Sequence, residues 1–208
     1  MFLSERPNVY EKVYAEVVGR LAAEPLAANA ARLGLAVQDG AVRVPLLGRG
    51  YLVDAHGVRN AQGDKAPLTH RLVLAYYLLH RGGGETAGRY VPYRELPGGA
   101  DFARALSEVV EGRLARAFSG RVPELLAAAA DLGGEPAPVE VRAELAQVFP
   151  VLPHIPLMLT FYDADEDFGA EAKVFYDLTA PNFLDMECLA VLAQILVVEL
   201  EETARAKG

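Results

Sequence analysis

The chain has 208 residues, 52% of them apolar and 23% charged, enough for a sizeable core and too apolar for a disordered polymer. Its net charge of −8 is uneven: residues 1–134 carry 16 basic and 14 acidic side chains, while residues 135–208 carry 4 and 14, a net of −10 that repels phosphate backbones and argues against nucleic-acid binding. The single cysteine, Cys188, excludes an intrachain disulfide framework and a cysteine-ligated zinc or iron–sulfur site.

Residues 8–33 open with an amphipathic helix, because Tyr10, Val13, Tyr14, Val17 and Leu21 repeat at helical spacing. Pro25 breaks it, and a second short helix runs to about Leu33, with Gly34 suited to its C-terminus. VRVPLL and GYLVDA, then HGVRNA, read as two or three antiparallel strands joined by tight turns, and Pro45 marks an edge or a bulge. LTHRLVLAYYLLH (68–80) reads as a helix capped by Thr69 and closed by the glycines at 82–84. Those glycines follow a helix rather than open one, which is the wrong order for a phosphate cradle.

RYVPYREL (89–96) reads as a short extended segment. Asp101 is expected to cap a helix over FARALSEVVEGRLARAF, with Phe102, Leu106, Val109, Val110, Leu114 and Phe118 as its apolar stripe and Arg104–Glu108 as an i, i+4 pair. Here Arg104, Arg113, Arg116 and Arg121 alternate with acids, as on a solvated helix face rather than a phosphate track. Pro123 opens another helix that Gly133 closes, and GGEPAP (133–138) is the expected internal hinge. Residues 139–150 fit either a helix or a strand. IPLMLTFY (155–162) is a buried strand, and EAKVFYDLT (171–179) alternates and pairs with it. From Asp185 the chain is helical, with Leu189, Leu192, Leu196 and Leu200 on its buried side. The order gives an α+β class: one domain over 1–208, an antiparallel or mixed sheet covered by helices, and the C-terminal helix packed on it. Its parts are N-terminal helices (1–34), a hairpin with helices (35–134), and strands with the last helix (135–208).

FYDADEDF carries the densest acids. Asp163, Asp165 and Asp167 have the spacing of the first three ligands of a calcium loop, but Phe168 stands where that loop needs glycine and Val174 where it needs glutamate. A looser cation site using the three aspartates, or catalytic carboxylates at Asp163 and Asp165, are the functional alternatives. A solvated acidic turn between two strands is the simpler reading. His154, between two prolines in LPHIP, could ligate a metal or haem or move a proton. Eight strand residues separate it from Asp163 by ~26 Å, so the two are not expected to share a site. No HExxH, GxSxG or Walker motif occurs, and Cys188 beside Leu189 and Ala190 reads as a buried small residue.

The ordered motifs Leu-Pro-x-x-Pro-Leu (152–157), Asp-x-Asp-Glu-x-Phe (163–168), Phe-Tyr-Asp (175–177) and Leu-Asp-x-Glu (184–187) resemble a bacterial and archaeal family known as domain of unknown function 3786. YLVDAHGVRN, YREL and PGGADFARAL resemble its N-terminal half, so the likeness spans about residues 35–200. The resemblance implies anaerobic organisms and a setting near corrinoid or iron–sulfur metabolism. It supplies no catalytic residue, and this chain lacks the cysteine-rich segment of some members. MFLSERPNVYEK does not read as a secretory signal, and no apolar run nears the roughly 18 residues of a membrane span, so a cytoplasmic protein is expected. The expected function is a non-enzymatic binding or accessory module. It would recognise a protein partner or small cofactor in a cleft bordered by YVPYREL, through Tyr90, Tyr93 and Arg94, and by the acidic turn. A small carboxylate enzyme, with or without a divalent metal, is the alternative.

Overall fold

Pro25 divides the opening helical stretch into α1 (Pro7–Ala23) and α2 (Leu26–Arg32), and Leu33 and Gly34 close the second helix. The structure is a computed structural model and describes residues 7–80 and 82–207. Tyr14, Val17 and Leu21 bury the inner face of α1.

A four-stranded antiparallel meander follows, one strand more than the sequence suggests: β1 (Ala36–Gln38), β2 (Ala41–Leu46), β3 (Arg49–Asp54) and β4 (Gly57–Asn60), in that spatial order. Two-residue turns set its register. Asp39–Gly40 and Leu47–Gly48 all have positive φ (51°, 79°, 47° and 74°), the backbone twist that joins adjacent strands without splaying them. Leu47 is held in this rare conformation by burial and by its N–H, which donates to Val151 O at 2.9 Å and ties this sheet to the second one. Val42, Val44 and Leu46 point inward while Arg43 and Pro45 point out. Alternation puts the Pro45 nitrogen on the β1 side, and β1 reaches only Arg43, so no ladder bond is lost.

The helix α3 (Leu68–Leu79) is buried almost all round, from His70 to Leu79 with Tyr76 as the exception. It is therefore a central helix, not an amphipathic cover. Its N-terminal neighbour is Pro67 and no side chain caps it; Thr69 lies inside the first turn, with Oγ1 3.2 Å from His70 Nδ1. Arg71, buried within α3, donates to Ala66 O and to both oxygens of Glu11 and lies over the Tyr14 ring, which locks α1 to α3.

The expected 17-residue helix is interrupted. It runs as α4 (Ala100–Leu106), a π-helical segment (Ser107–Glu111) and α5 (Gly112–Phe118). Gly99, not Asp101, stands before it. Residues four apart drift about 40° per step around an ideal α-helix. The wider π turn takes back part of that rotation, so Leu106, Val110, Leu114 and Phe118 keep one buried face, while Phe102 and Val109 leave the expected stripe and are exposed. Helix α6 (Val122–Asp131) follows, with Pro123 in its first turn.

The second sheet is antiparallel in the order β5-β9-β8-β7-β6: β5 (Tyr90–Pro92), β6 (Glu135–Pro136), β7 (Leu145–Leu152), β8 (Ile155–Tyr162) and β9 (Glu171–Asp177). Residues 139–150, ambiguous in sequence, become strand only from Leu145, and part of the expected hinge at 133–138 forms the edge strand β6. Central β8 is buried on both faces, which explains its unbroken apolar run. The last helix, α7 (Met186–Lys207), is capped by Asp185, whose Oδ1 accepts from Cys188 N–H at 2.9 Å. From Cys188 to Glu201 it is buried around most of its circumference, and it packs against α3, α5, α6 and the π segment. Among the described residues no helix is long and apolar enough to cross a membrane.

Two acids on α7 are buried. Glu199 meets Arg49 at 2.7 Å and His70 at 3.5 Å; Glu201 meets Arg113 at 2.6 Å and Arg205 at 2.7 Å. The hydrogen bond from His70 outweighs burial and, with Arg49, holds the Glu199 carboxyl below the usual carboxylate range. A depressed folded pKa gives stability that is full above the usual carboxylate range and is lost as pH falls through the folded value. Glu199→Gln is therefore expected to lower stability by about 1–3 kcal/mol near neutral pH. The gap to the wild type should narrow in denaturant titrations taken from neutral pH to below the usual carboxylate range, as pH falls toward the lowered folded value. An equal gap at both pH values would refute this role for the carboxylate.

Candidate functional site

The short strand β5 creates the site. It pairs only with the C-terminal half of β9, Tyr90 with Asp177, Val91 with Tyr176 and Pro92 with Phe175. A 3-10 turn at Tyr93–Glu95 then leads the chain away from the sheet. The edge of β9 before Phe175 thus loses its strand neighbour, and the π segment takes that place. Val174 N–H donates to Glu111 Oε1 at 3.1 Å, so a side chain ends the ladder where the strand stops.

Between the 3-10 turn, α4 with its π segment, and the edge of β9 lies a groove of about 440 Å³. Its polar lining is Tyr93, Arg94, Arg104, Ser107, Glu111 and Lys173. Lys173 and Phe175, two apart on β9, both line it, with Leu106 and Pro92 adding apolar surface. The Lys173 ammonium lies 3.0 Å from Glu171 and 3.7 Å from Glu111. Burial pulls its pKa down, but the two acids outweigh burial and keep it above the ordinary lysine value, so the group stays charged. Arg104 is tied along its helix to Glu108 at 3.0 Å, as the i, i+4 spacing predicts. Arg94 is exposed, and among the described residues it has no ion-pair partner.

The residues singled out from sequence separate into different places. Tyr93 and Arg94 line the groove; Tyr90 does not, and its hydroxyl pKa is raised by burial and then by Asp177. Tyr93 is an anchor rather than a reacting group. Its hydroxyl donates to Met186 O at 2.6 Å, its ring meets Tyr176 edge-on at 5.3 Å, and burial, then Asp185, pushes its pKa well up. His154 sits in the β7–β8 turn with φ 64°, stacks on Phe183 at 4.9 Å, and its Nε2 lies 3.2 Å from Leu33 O. It joins the turn to α2 and lies away from the groove.

The acidic turn does not border the groove, contrary to the expected cleft. Asp163 Oδ1 accepts from Gly120 N–H and Ala164 N–H, both at 2.8 Å, and Asp163 N–H donates to Glu144. Asp165 Oδ1 accepts from Asp167 N–H and Phe168 N–H, which holds its exposed carboxyl below the usual range. Asp163 and Asp165 are thus engaged in shaping the loop, the geometry of a solvated turn docked on the end of α5. Among the described residues no group of three or more His, Cys, Asp or Glu side chains is placed to hold a metal ion. Cys188 lines a smaller cavity of about 160 Å³, where burial and then Asp185 push its thiol pKa well up, the opposite of what a nucleophile needs.

Glu111, Ser107 and Lys173 were not legible as a group. The only trace of Glu111 is a charge directly beside the apolar stripe at Val110, and Lys173 reads as an ordinary outward residue of an alternating strand. Asp177 was also missed. Fully buried, it accepts hydrogen bonds from Ala87, Gly88 and Thr179, and these outweigh the burial that would raise its pKa. It therefore fixes the end of the glycine-rich loop next to β5.

The ordered motifs of the second half now have a frame: the β7–β8 turn, the acidic turn, the end of β9 and the cap of α7. Residues 25–199 match the family described as Domain of unknown function (DUF3786). The chain belongs to this family. The match begins after α1, ends at Glu199, and includes every element that lines the groove. Comparison with curated proteins and with solved structures returned no match.

A cation held by Asp163, Asp165 and Asp167 would stabilise the fold by mass action. With Asp163 and Asp165 engaged by backbone N–H groups, calcium or magnesium at about 5 mM is expected to move the melting temperature by less than about 1 °C. A saturable rise that Asp165→Asn abolishes would restore the metal reading.

Proposed function

We propose that the chain is a non-enzymatic, cytoplasmic binding module whose ligand or partner docks in the groove beside Tyr93 and Arg94. The observation that carries this is an arginine, Arg94, with no ion-pair partner among the described residues, at the mouth of a groove built from a π segment, a pinned strand edge and a tyrosine anchor. π-helical turns are rare and concentrate at functional sites. A volume of about 440 Å³ is in the range of small-molecule sites. The engagement of Asp163 with Gly120 and Glu144 favours this reading over catalysis by the acidic turn, where a nearby histidine or arginine would be wanted. The family's implied setting, anaerobic metabolism with corrinoid or iron–sulfur chemistry, belongs to the same proposal, and nucleic acid plays no part in it.

Ser107→Trp fills the groove from the π segment. Affinity capture from native lysate, with mass spectrometry of the bound small molecules and proteins, is expected to recover a species with the wild type that the tryptophan variant loses at unchanged melting temperature. Identical recovery by both proteins would place binding elsewhere on the surface.

A further inference from the structure

We infer that the groove takes a small amphipathic organic anion, an aryl or alkyl carboxylate or phosphate ester, whose charged head is held by Arg94 and Lys173. This rests on the groove being the binding site. Among the described residues the lining holds three cations, Arg94, Arg104 and Lys173, against one acid, Glu111, in a chain whose net charge is −8. The acid is already engaged: one oxygen accepts from Val174 N–H and the other faces Lys173. Glu111 is therefore floor, not a competitor for the ligand's cationic partners.

The three cations differ in availability. Arg104 is tied to Glu108 on the outer face of the helix. Lys173 is 3.7 Å from Glu111, outside hydrogen-bond range, and its one close partner among the described residues, Glu171, is exposed. Arg94 has no partner among the described residues, so its planar fork is free to bind a carboxylate or phosphate with two hydrogen bonds. Behind these heads lie Phe175, Leu106 and Pro92, an apolar bed for the body of the ligand.

Charge also selects against a long polyanion. Residues 135–208 carry a net of −10, so an acidic peptide or nucleic acid tracking away from the groove meets like charge. A compact anion meets only the groove.

The test is an NMR titration of amide shifts with phenyl phosphate, phenylacetate, inorganic phosphate, the neutral 2-phenylethanol and a poly-glutamate peptide. Phenyl phosphate or phenylacetate should saturate shifts at Arg94, Ser107 and Val174, and whichever binds more tightly assigns the head group. Arg94→Gln should weaken that binding at least about tenfold. Lys173→Met should weaken it in the same direction, and Asp163→Asn should leave it unchanged. Binding of 2-phenylethanol as tight as that of the anions, an unchanged affinity in Arg94→Gln, or tighter binding of poly-glutamate would overturn the anion inference and leave the groove a binding site. If no probe moves a groove amide, the anion inference falls, and the binding-site reading stands or falls on the capture experiment with Ser107→Trp.

Discussion

Burying α7 on nearly every side sets the condition that the rest of the structure must meet. The helix carries Glu199 and Glu201 within its buried stretch, and an unpaired buried carboxylate costs several kcal/mol. Two residues apart on a helix, the acids point about 160° away from each other. One side must therefore bring a cation from the first sheet and a polar partner from α3, as Arg49 and His70 do, and the other a cation from α5, as Arg113 does. The pairing does more for arrangement than for net stability, because Arg49 is largely exposed and its attraction is screened. Removing one partner leaves a buried acid only partly answered, so the two sides of the molecule fix their positions against the same helix.

The groove inherits this arrangement. Glu111 lies two residues before Arg113, so the ion pair that fastens α5 to α7 also fixes the π segment and presents Glu111 to Val174 N–H. The opposite wall is fastened at the other end of α7, where Tyr93 donates to Met186 O. Both walls thus hang from one rigid helix. Asp177, satisfied by four donors, steadies the loop that leads into β5. Under the proposed binding role, a groove held in this way would need little reorganisation, which would keep the entropic cost of ligand capture small.

The parts of this fold governed by local pattern were legible in the sequence. Helical spacing located α1, α3 and α7; alternation and turn residues located the meander and the β8–β9 pair; proline placed the breaks at Pro25 and Pro123. The failures came where a distant contact overrode local preference. Thr69 and Asp101 are good caps by type, yet the helices start elsewhere, after Pro67 and Gly99. Phe102 and Val109 fit an α-helical stripe, and the π turn, which no residue type announces, moves them to the surface. Tyr93 and Arg94 were visible as a polar-aromatic pair, but the groove's other side needed the register of β9 against the π segment, which sequence spacing does not encode. FYDADEDF was the most conspicuous stretch by composition, and its aspartates turn out to organise their own loop.

If α7 is the shared strut, its amides should be among the last to exchange with solvent. Native-state hydrogen exchange against denaturant tests this directly. Amides from Leu189 to Leu200 are expected to exchange only through global unfolding, with the Val174 amide protected by Glu111 following them. Exchange of the α7 amides at a clearly lower free energy, while β2, β3 and β8 stay protected, would show that the helix detaches alone and would contradict its role in holding the groove.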